Sequence, residues 1–401
     1  MDFALTQEHQ LVREMAHRFA QQSILPGLAE RDRENRSDPD MLRRMAEAGI
    51  LGTSLPAKYG GMDTDYISLG IVCEELERAD STARVVMSVH LGLHCLTILQ
   101  WGTPEQKQRW LPALAKGERV GGFGLTEPDA GSDAVHVRTR AVRDGTDYVL
   151  HGEKTWISLA NHADQFLVVA VTNPDAPSAA QGLSAFVIDR TMPGFSSRPL
   201  KGKLGVRAGD TGQIFFDGLR VHAENRLGDE GDGFRIAMSA LDHGRYTVAS
   251  GAVGLIQACL DASIPYSKDR KVGGEPIAKK QLVQQMIAQM AAGRDIGRLL
   301  YLQVGWMKNM GLRHTRECSL AKWTNCNAAF EAANNAVEIH GAYGYIDDFP
   351  VERYLRNARG AVIYEGTREI HTLMQAEYEL GYRQDRALKH ALPAWPFGPD
   401  A

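Results

Sequence analysis

Four stretches of the sequence hold residue types that could do chemistry. Glu365 follows the apolar run AVIY and precedes Gly366 and Thr367, where a helix is expected to start. A carboxylate against an apolar wall has its charged form disfavoured, so its pKa rises toward neutrality and it becomes a competent general base. The same position would also suit an acid that answers a helix macrodipole. GGFGLTEPDAGSDA at 121–134 gathers four glycines with Thr126 and Ser132, offering backbone N–H groups and hydroxyls to a ligand, although such a composition also suits a domain linker. GEKTWISLANHAD at 152–164 sets Trp156 before small polar residues, as a ligand platform or as a core Trp on a strand. Arg84, in ELERADSTARVVMSV at 75–89, stands at the head of the apolar stretch Val85 to Val89 of an expected helix, where a buried cation must be paired, either by a helix carboxylate such as Glu77 or by a ligand.

These residues must be positioned by three kinds of segment. Residues 6–120 read as helices: Leu11, Val12, Met15, Ala16 and Phe19 recur at helical spacing ahead of Pro26, a second helix runs from Pro39 with Asp38 as cap to Gly49, and TPEQ at 103–106 forms a capping box ahead of Trp110, Leu111 and Leu114. From 121 to 228 the runs RTRAV, DYVL, QFLVVAV, SAFVID and QIFF read as strands, with turns at Asp144-Gly145 and Asp217-Gly218. From about 232 helical periodicity returns over 233–268, 279–310 and 314–340, lengths that suit an antiparallel bundle, followed by short pieces near 350–358 and 367–382. The expected fold class is α+β: an N-terminal all-α domain (1–120), a middle antiparallel β domain (121–230), a C-terminal four-helix-bundle-type α domain (231–385) and a proline-containing tail (386–401). The site is expected between the domains.

Composition bounds the alternatives. With 401 residues, 44% hydrophobic and 23% charged, the chain is neither disordered nor a disulfide scaffold, and a net charge of −4 disfavours nucleic acid or an anionic membrane as partner. Five cysteines without a CxxC pair suit reduced thiols in a cytoplasmic enzyme. No secretory or transit pattern is read at the start, and the apolar run Val85 to Pro104 is read as a buried helix. GxGxxG after a strand, a P-loop and GxSxG are absent, and His90 and His94 lack the intervening glutamate of a zinc protease, so no metal site is expected.

Taken together, LTEPDAGSD, WIS and IYEGT, in this order and spacing, closely resemble the signatures of the acyl-CoA dehydrogenase family of flavoproteins, over about residues 3–382. The resemblance implies FAD held by Phe123, Leu125, Thr126, Gly131, Ser132, Trp156, Ile157 and Ser158 near the isoalloxazine ring. Arg270 and Gln281 would act from a neighbouring subunit, and Glu338, His340, Gly341, Ala342, Thr367 and Glu369 would complete the cradle. It implies Glu365 as the base that takes the α-proton of an acyl-CoA thioester while the β-hydrogen leaves as hydride, with Asp242 and Arg245 on the CoA arm and Tyr364, Gly366 and Ser132 at the acyl group. Some relatives carry the base at the position of Gly244, which here has no carboxylate.

Around Arg84 the sequence is similar to the glutaryl-CoA dehydrogenase branch, in which the matching Arg binds a distal carboxylate, assisted by the acid at Glu77. Val85 replaces a Ser and Ala83 an aromatic of that branch, leaving a roomier, more apolar pocket that admits a bulkier acyl group such as benzylsuccinyl. Gly273 and Glu338 also depart from the family pattern, at the adenosine end of the FAD site. The expectation is therefore an FAD-dependent dehydrogenase of a CoA thioester with a second carboxylate, passing electrons to an electron-transfer flavoprotein and assembling as a homotetramer. Alternatives are a short- or branched-chain monocarboxylic acyl-CoA dehydrogenase and a redox-silent desulfinase, against which Glu365 argues.

Overall fold

The computed structural model describes residues 4–385, 387–399 and 401. The N-terminal region is helical. Gln7–Phe19 begins with a capping box between Thr6 and His9, and Pro104–Ala115 repeats the device with Thr103 and Gln106, the pairing read from TPEQ. The helix expected from Pro39 is shorter, Met41–Glu47; Asp38 accepts the Asp40 N–H instead of capping it, and Gly49 follows in the left-handed region at φ 73°. Two buried helices, Tyr66–Ala79 and Ser81–Trp101, form the centre of this region. Ser81–Trp101 and Gly233–Asp269 are long and apolar enough to cross a membrane, but 94% and 78% of their most apolar windows are buried inside the protein. Ser81–Trp101 widens into a π-helical segment over Met87–Cys95.

Among the described residues eight strands form one sheet: β1 (Gly121–Gly124), β2 (Arg140–Asp144), β3 (Asp147–Ser158), β4 (Gln165–Val171), β5 (Leu183–Asp189), β6 (Phe195–Pro199), β7 (Thr211–His222) and β8 (Arg226–Leu227). The order is β6-β7-β3-β2-β4-β5-β8, with β1 added along β4. The sheet is mainly antiparallel, as expected, but β1 and the start of β2 run parallel to β4, because the chain leaves β1 through the loop 125–139 before entering β2. All five β-rich runs contain or overlap a strand. The two Asp-Gly pairs do different jobs. Gly145, at φ 63°, turns the β2–β3 hairpin, whereas Gly218, at φ 64°, is the extra residue of a bulge inside β7 opposite Leu150 and His151.

The C-terminal bundle is Gly233–Asp269, Gln281–Asn309 and Thr315–His340, with Val351–Ala361 and Arg368–Glu379 packed beside it. Gly233–Asp269 is central and approaches Tyr66–Ala79 closely at its glycines: a Cβ on Gly254 would lie 1.9 Å from the Glu74 carbonyl oxygen. The tail wraps back onto the N-terminal helices. Tyr66 donates to the Pro393 carbonyl, Trp395 Nε1 to Asp63, and Tyr59 to Ala401.

Candidate active site

A cavity of about 1290 Å³ opens where the three helical and β regions meet. From the end of β1 and the following loop it receives Phe123, Leu125, Thr126, Gly131 and Ser132; from β3, Trp156, Ile157 and Ser158; and from the helices, Arg84, Asp242, Arg245 and the turn Tyr364–Thr367. The sequence motifs are thus brought to one place. Gly121 and Gly122 are not part of it. A Cβ on either would strike His94 or Phe166 within 2.5 Å, so these two glycines serve close core packing, while Gly131 has open space.

Trp156 is aimed by strain. Its φ is 60°, it lies at a register shift between β3 and β7, and its side chain is 64% exposed, so it is not a core Trp. Beneath it Lys154 is fully buried and donates to the Leu125 carbonyl (3.0 Å) and to Glu127 (2.7 Å). Burial lowers the Lys154 pKa to about 8 against the pull of Glu127. Glu127 also accepts the N–H groups of Arg138 and Thr139, which ties the loop 125–139 to the sheet.

Glu365 sits two residues before the N-cap Thr367, outside the helix Arg368–Glu379, so it is not a first-turn acid. Its φ is 55° and that of Gly366 is 101°, two consecutive left-handed residues. A side chain on Gly366 would meet His371 Nε2 at 2.8 Å, so conformation and space both demand glycine there. Arg245 Nε donates to the Glu365 carbonyl at 3.2 Å while its Nη1 holds Asp242 at 3.1 Å, and Thr315 donates to the other Asp242 oxygen. The carboxylate itself lines the cavity, and its Oε2 is buried without a hydrogen-bond partner among the described residues. Burial lifts its pKa to about 7, opposed by Arg84, Lys322 and Arg245.

Arg84 is 1% exposed yet reaches the cavity wall. Its Nε donates to Glu77 at 2.6 Å, Nη2 to Glu77 at 3.3 Å and to the Tyr364 hydroxyl, and Nη1 to Ser88 at 3.1 Å. Glu77 does not line the cavity; it is the internal counter-ion and is also held by Ser81. Four of the five guanidinium N–H groups are thereby used. Among the described residues one Nη1 N–H has no acceptor, and Tyr364, accepting from Arg84, keeps its own proton for a ligand. Ser88, bonded on to Thr247, is a member of this group that the sequence reading missed, lying one helical turn after Arg84.

The remaining expected residues lie elsewhere. Arg270, Gln281, Glu338, Gly341 and Ala342 are exposed at the far end of the bundle, and none lines the cavity. His340 there is buried, stacked on Tyr266 at 4.1 Å. Arg270 follows Arg245 along one continuous helix by 25 residues, about 37 Å at the α-helical rise, so the two groups cannot surround one flavin ring within a chain. Glu369 is exposed and pairs with Arg368, outside the cavity.

The cavity fits an extended aromatic cofactor. The exposed Trp156 lines the cavity together with Thr126, Ser132 and Ser158, whose hydroxyls have no hydrogen-bond partner among the described residues. An aromatic platform, free hydroxyls and a carboxylate poised near neutrality define the class: a cofactor-assisted enzyme that removes a proton from its substrate.

The N-terminal, middle and C-terminal domain models of acyl-CoA dehydrogenases match residues 6–118, 122–219 and 231–379. The glutaryl-CoA dehydrogenase of Desulfococcus multivorans is 40% identical over 96% of this chain and 99% of its own, and the short-chain specific acyl-CoA dehydrogenase of Clostridium acetobutylicum is 38% identical over 93% and 98%. A solved glutaryl-CoA dehydrogenase in complex with glutaryl-CoA superposes with a TM-score of 0.90 at 39% identity, over 96% of this chain and 98% of that one. The chain belongs to the acyl-CoA dehydrogenase family, and it is an FAD-dependent oxidoreductase.

Proposed function

We propose that the protein dehydrogenates, between Cα and Cβ, a CoA thioester whose acyl group ends in a second carboxylate, of glutaryl or substituted succinyl type such as benzylsuccinyl. The observation that carries this reading is the Arg84–Tyr364 pair on the same cavity wall as Glu365, with one N–H and one O–H left for a distal carboxylate. Glu365 removes the α-proton. Its raised pKa makes it a stronger base than an ordinary carboxylate toward the weakly acidic α-proton of a thioester, and its unpartnered Oε2 is free to receive that proton. Bound FAD supplies the acceptor for the β-hydrogen. Thr126, Ser132, Trp156 and Ser158 hold the cofactor, and Asp242 and Arg245 orient the CoA arm where it leaves the cavity. Val85, Val89 and Leu93 give the acyl pocket an apolar side that keeps water from the reacting carbons.

Arg270 and Gln281 serve the FAD of a second copy, which makes the enzyme a homo-oligomer, of tetrameric type in this reading, with an electron-transfer flavoprotein as acceptor. One observation favours a second reading. Glu77 already balances Arg84, so the pocket is close to neutral and a short monocarboxylic acyl group is also accommodated. Anaerobic flavin bleaching with glutaryl-, benzylsuccinyl- and butyryl-CoA separates them. Rapid bleaching by butyryl-CoA and none by either dicarboxylyl thioester would sink the first reading.

A further inference from the structure

Lys322 has no place in the chemistry above, yet it is 1% exposed and lies beneath the turn that carries Glu365. It sits on Thr315–His340 in the run SLAKW. No carboxylate lies within ion-pair distance of it among the described residues, and its Nζ makes one hydrogen bond there, to the Gly366 carbonyl at 2.7 Å. A buried ammonium held only by a backbone carbonyl is costly to the fold, so its retention calls for a return.

The turn supplies one. Both of its carbonyls are gripped by cations from two different helices: that of Glu365 by Arg245 from Gly233–Asp269 and that of Gly366 by Lys322. In a trans peptide the N–H points opposite to its carbonyl. Holding both carbonyls inward therefore turns the N–H groups of Gly366 and Thr367 outward, and neither makes a hydrogen bond among the described residues. His371 fills the space beside Gly366 from the third side.

We infer that Lys322 is a positioning residue: by holding the Gly366 carbonyl it fixes the left-handed Glu365–Gly366 turn and so aims the Glu365 carboxylate into the cavity. The inference rests on the reading of Glu365 as the base. Charge acts in the same direction. The groups facing Glu365 are Arg84 with Glu77 and Tyr364, Arg245 with Asp242, Lys322 with Cys326, and Cys73, Cys318 and His371. Of the three cations, Arg84 and Arg245 are each bound to a carboxylate, and Lys322 is not.

The test compares Lys322→Met, Lys322→Gln and Lys322→Arg in the FAD-loaded protein. In Lys322→Met, kcat falls about 100-fold, the loss typical of a reacting group misplaced by an ångström, while KM changes little. The acid limb of the pH profile moves up by about one unit as a cation is lost from the carboxylate's surroundings. Amide exchange of Ile363, Tyr364 and Arg368, whose N–H groups are bonded to the Gly360 and Val362 carbonyls across this turn, accelerates, with or without FAD. Lys322→Gln keeps an N–H for the Gly366 carbonyl and retains slow exchange, and Lys322→Arg restores most of kcat. Unchanged exchange and unchanged kcat in Lys322→Met would overturn the inference. Should that variant not fold, Lys322→Gln with fast exchange in an otherwise native protein does the same. The exchange measurement reports on the turn whatever the base is. A Glu365→Gln variant that still turns over removes the base reading without touching it.

Discussion

Gly244 leaves the space that the Glu365 carboxylate occupies: a Cβ built on Gly244 would stand 2.0 Å from Glu365 Oε2. The two are 121 positions apart and meet because Gly233–Asp269 passes directly beneath the 364–367 turn. Adding one methyl group at 244 must push the carboxylate out of its seat. For Gly244→Ala we expect kcat to fall about 100-fold through misplacement, with FAD content unchanged. Stopped-flow flavin reduction measures it, and an Ala variant as fast as the parent would show that the carboxylate reacts from another position.

Glu365→Gln removes the base proposed above while keeping its shape. The rate of flavin reduction should drop by about 10⁴-fold, the upper range for losing general base catalysis, with the flavin spectrum retained. In that reading only the ionised carboxylate of the parent enzyme accepts the proton. Because its pKa is raised to about 7, the reduction rate should climb with pH below 7 and level off above it. A profile flat from pH 5 to 9 would remove Glu365 from the role.

Arg84 and Glu77 should behave as one unit. Arg84→Met leaves Glu77 buried without its counter-ion, a loss of about 3–5 kcal/mol by urea denaturation. Arg84→Met combined with Glu77→Leu should recover most of that stability while still losing any preference for dicarboxylyl thioesters. If the double variant were as unstable as the sum of the singles, the pairing would not be the source of the cost.

His90 and His94 are buried beside β1. His90 accepts the Gly121 N–H and His94 contacts the Gly122 carbonyl, and burial pushes their pKa values down to about 3 and about 4. The unfolded chain takes up these protons below about pH 6.5 while the native one does not. Their contribution is therefore full above that pH and is lost as pH falls toward 4. Each histidine should cost about 1.4 kcal/mol per pH unit in this window. Thermal melts between pH 7 and 5 check it, and His94→Asn should flatten the slope.

Much of this was readable from residue order alone. Capping residues at Thr103 and Gln106 and β-rich runs such as QFLVVAV are local signals, and the elements they mark appear where expected. Glu365 could be singled out because its apolar neighbours and following glycine are adjacent in sequence. What local signals could not carry were relations across the fold. The parallel placement of β1 beside β4, Gly121 packed against His94 and Lys322 under Gly366 join residues far apart in the chain. Asp217-Gly218 misled because a bulge and a hairpin turn ask for the same left-handed glycine.

The continuous helix from Gly233 to Asp269 carries Asp242 and Arg245 at one cavity and delivers Arg270 to the opposite end. In the oligomer proposed above, each chain is then recipient at one end and donor at the other, and two kinds of defect should complement each other genetically. Chains with Arg270→Ala and chains with Glu365→Gln, each inactive alone, would regain one intact site in every mixed pair. Random mixing would restore about a quarter of the sites.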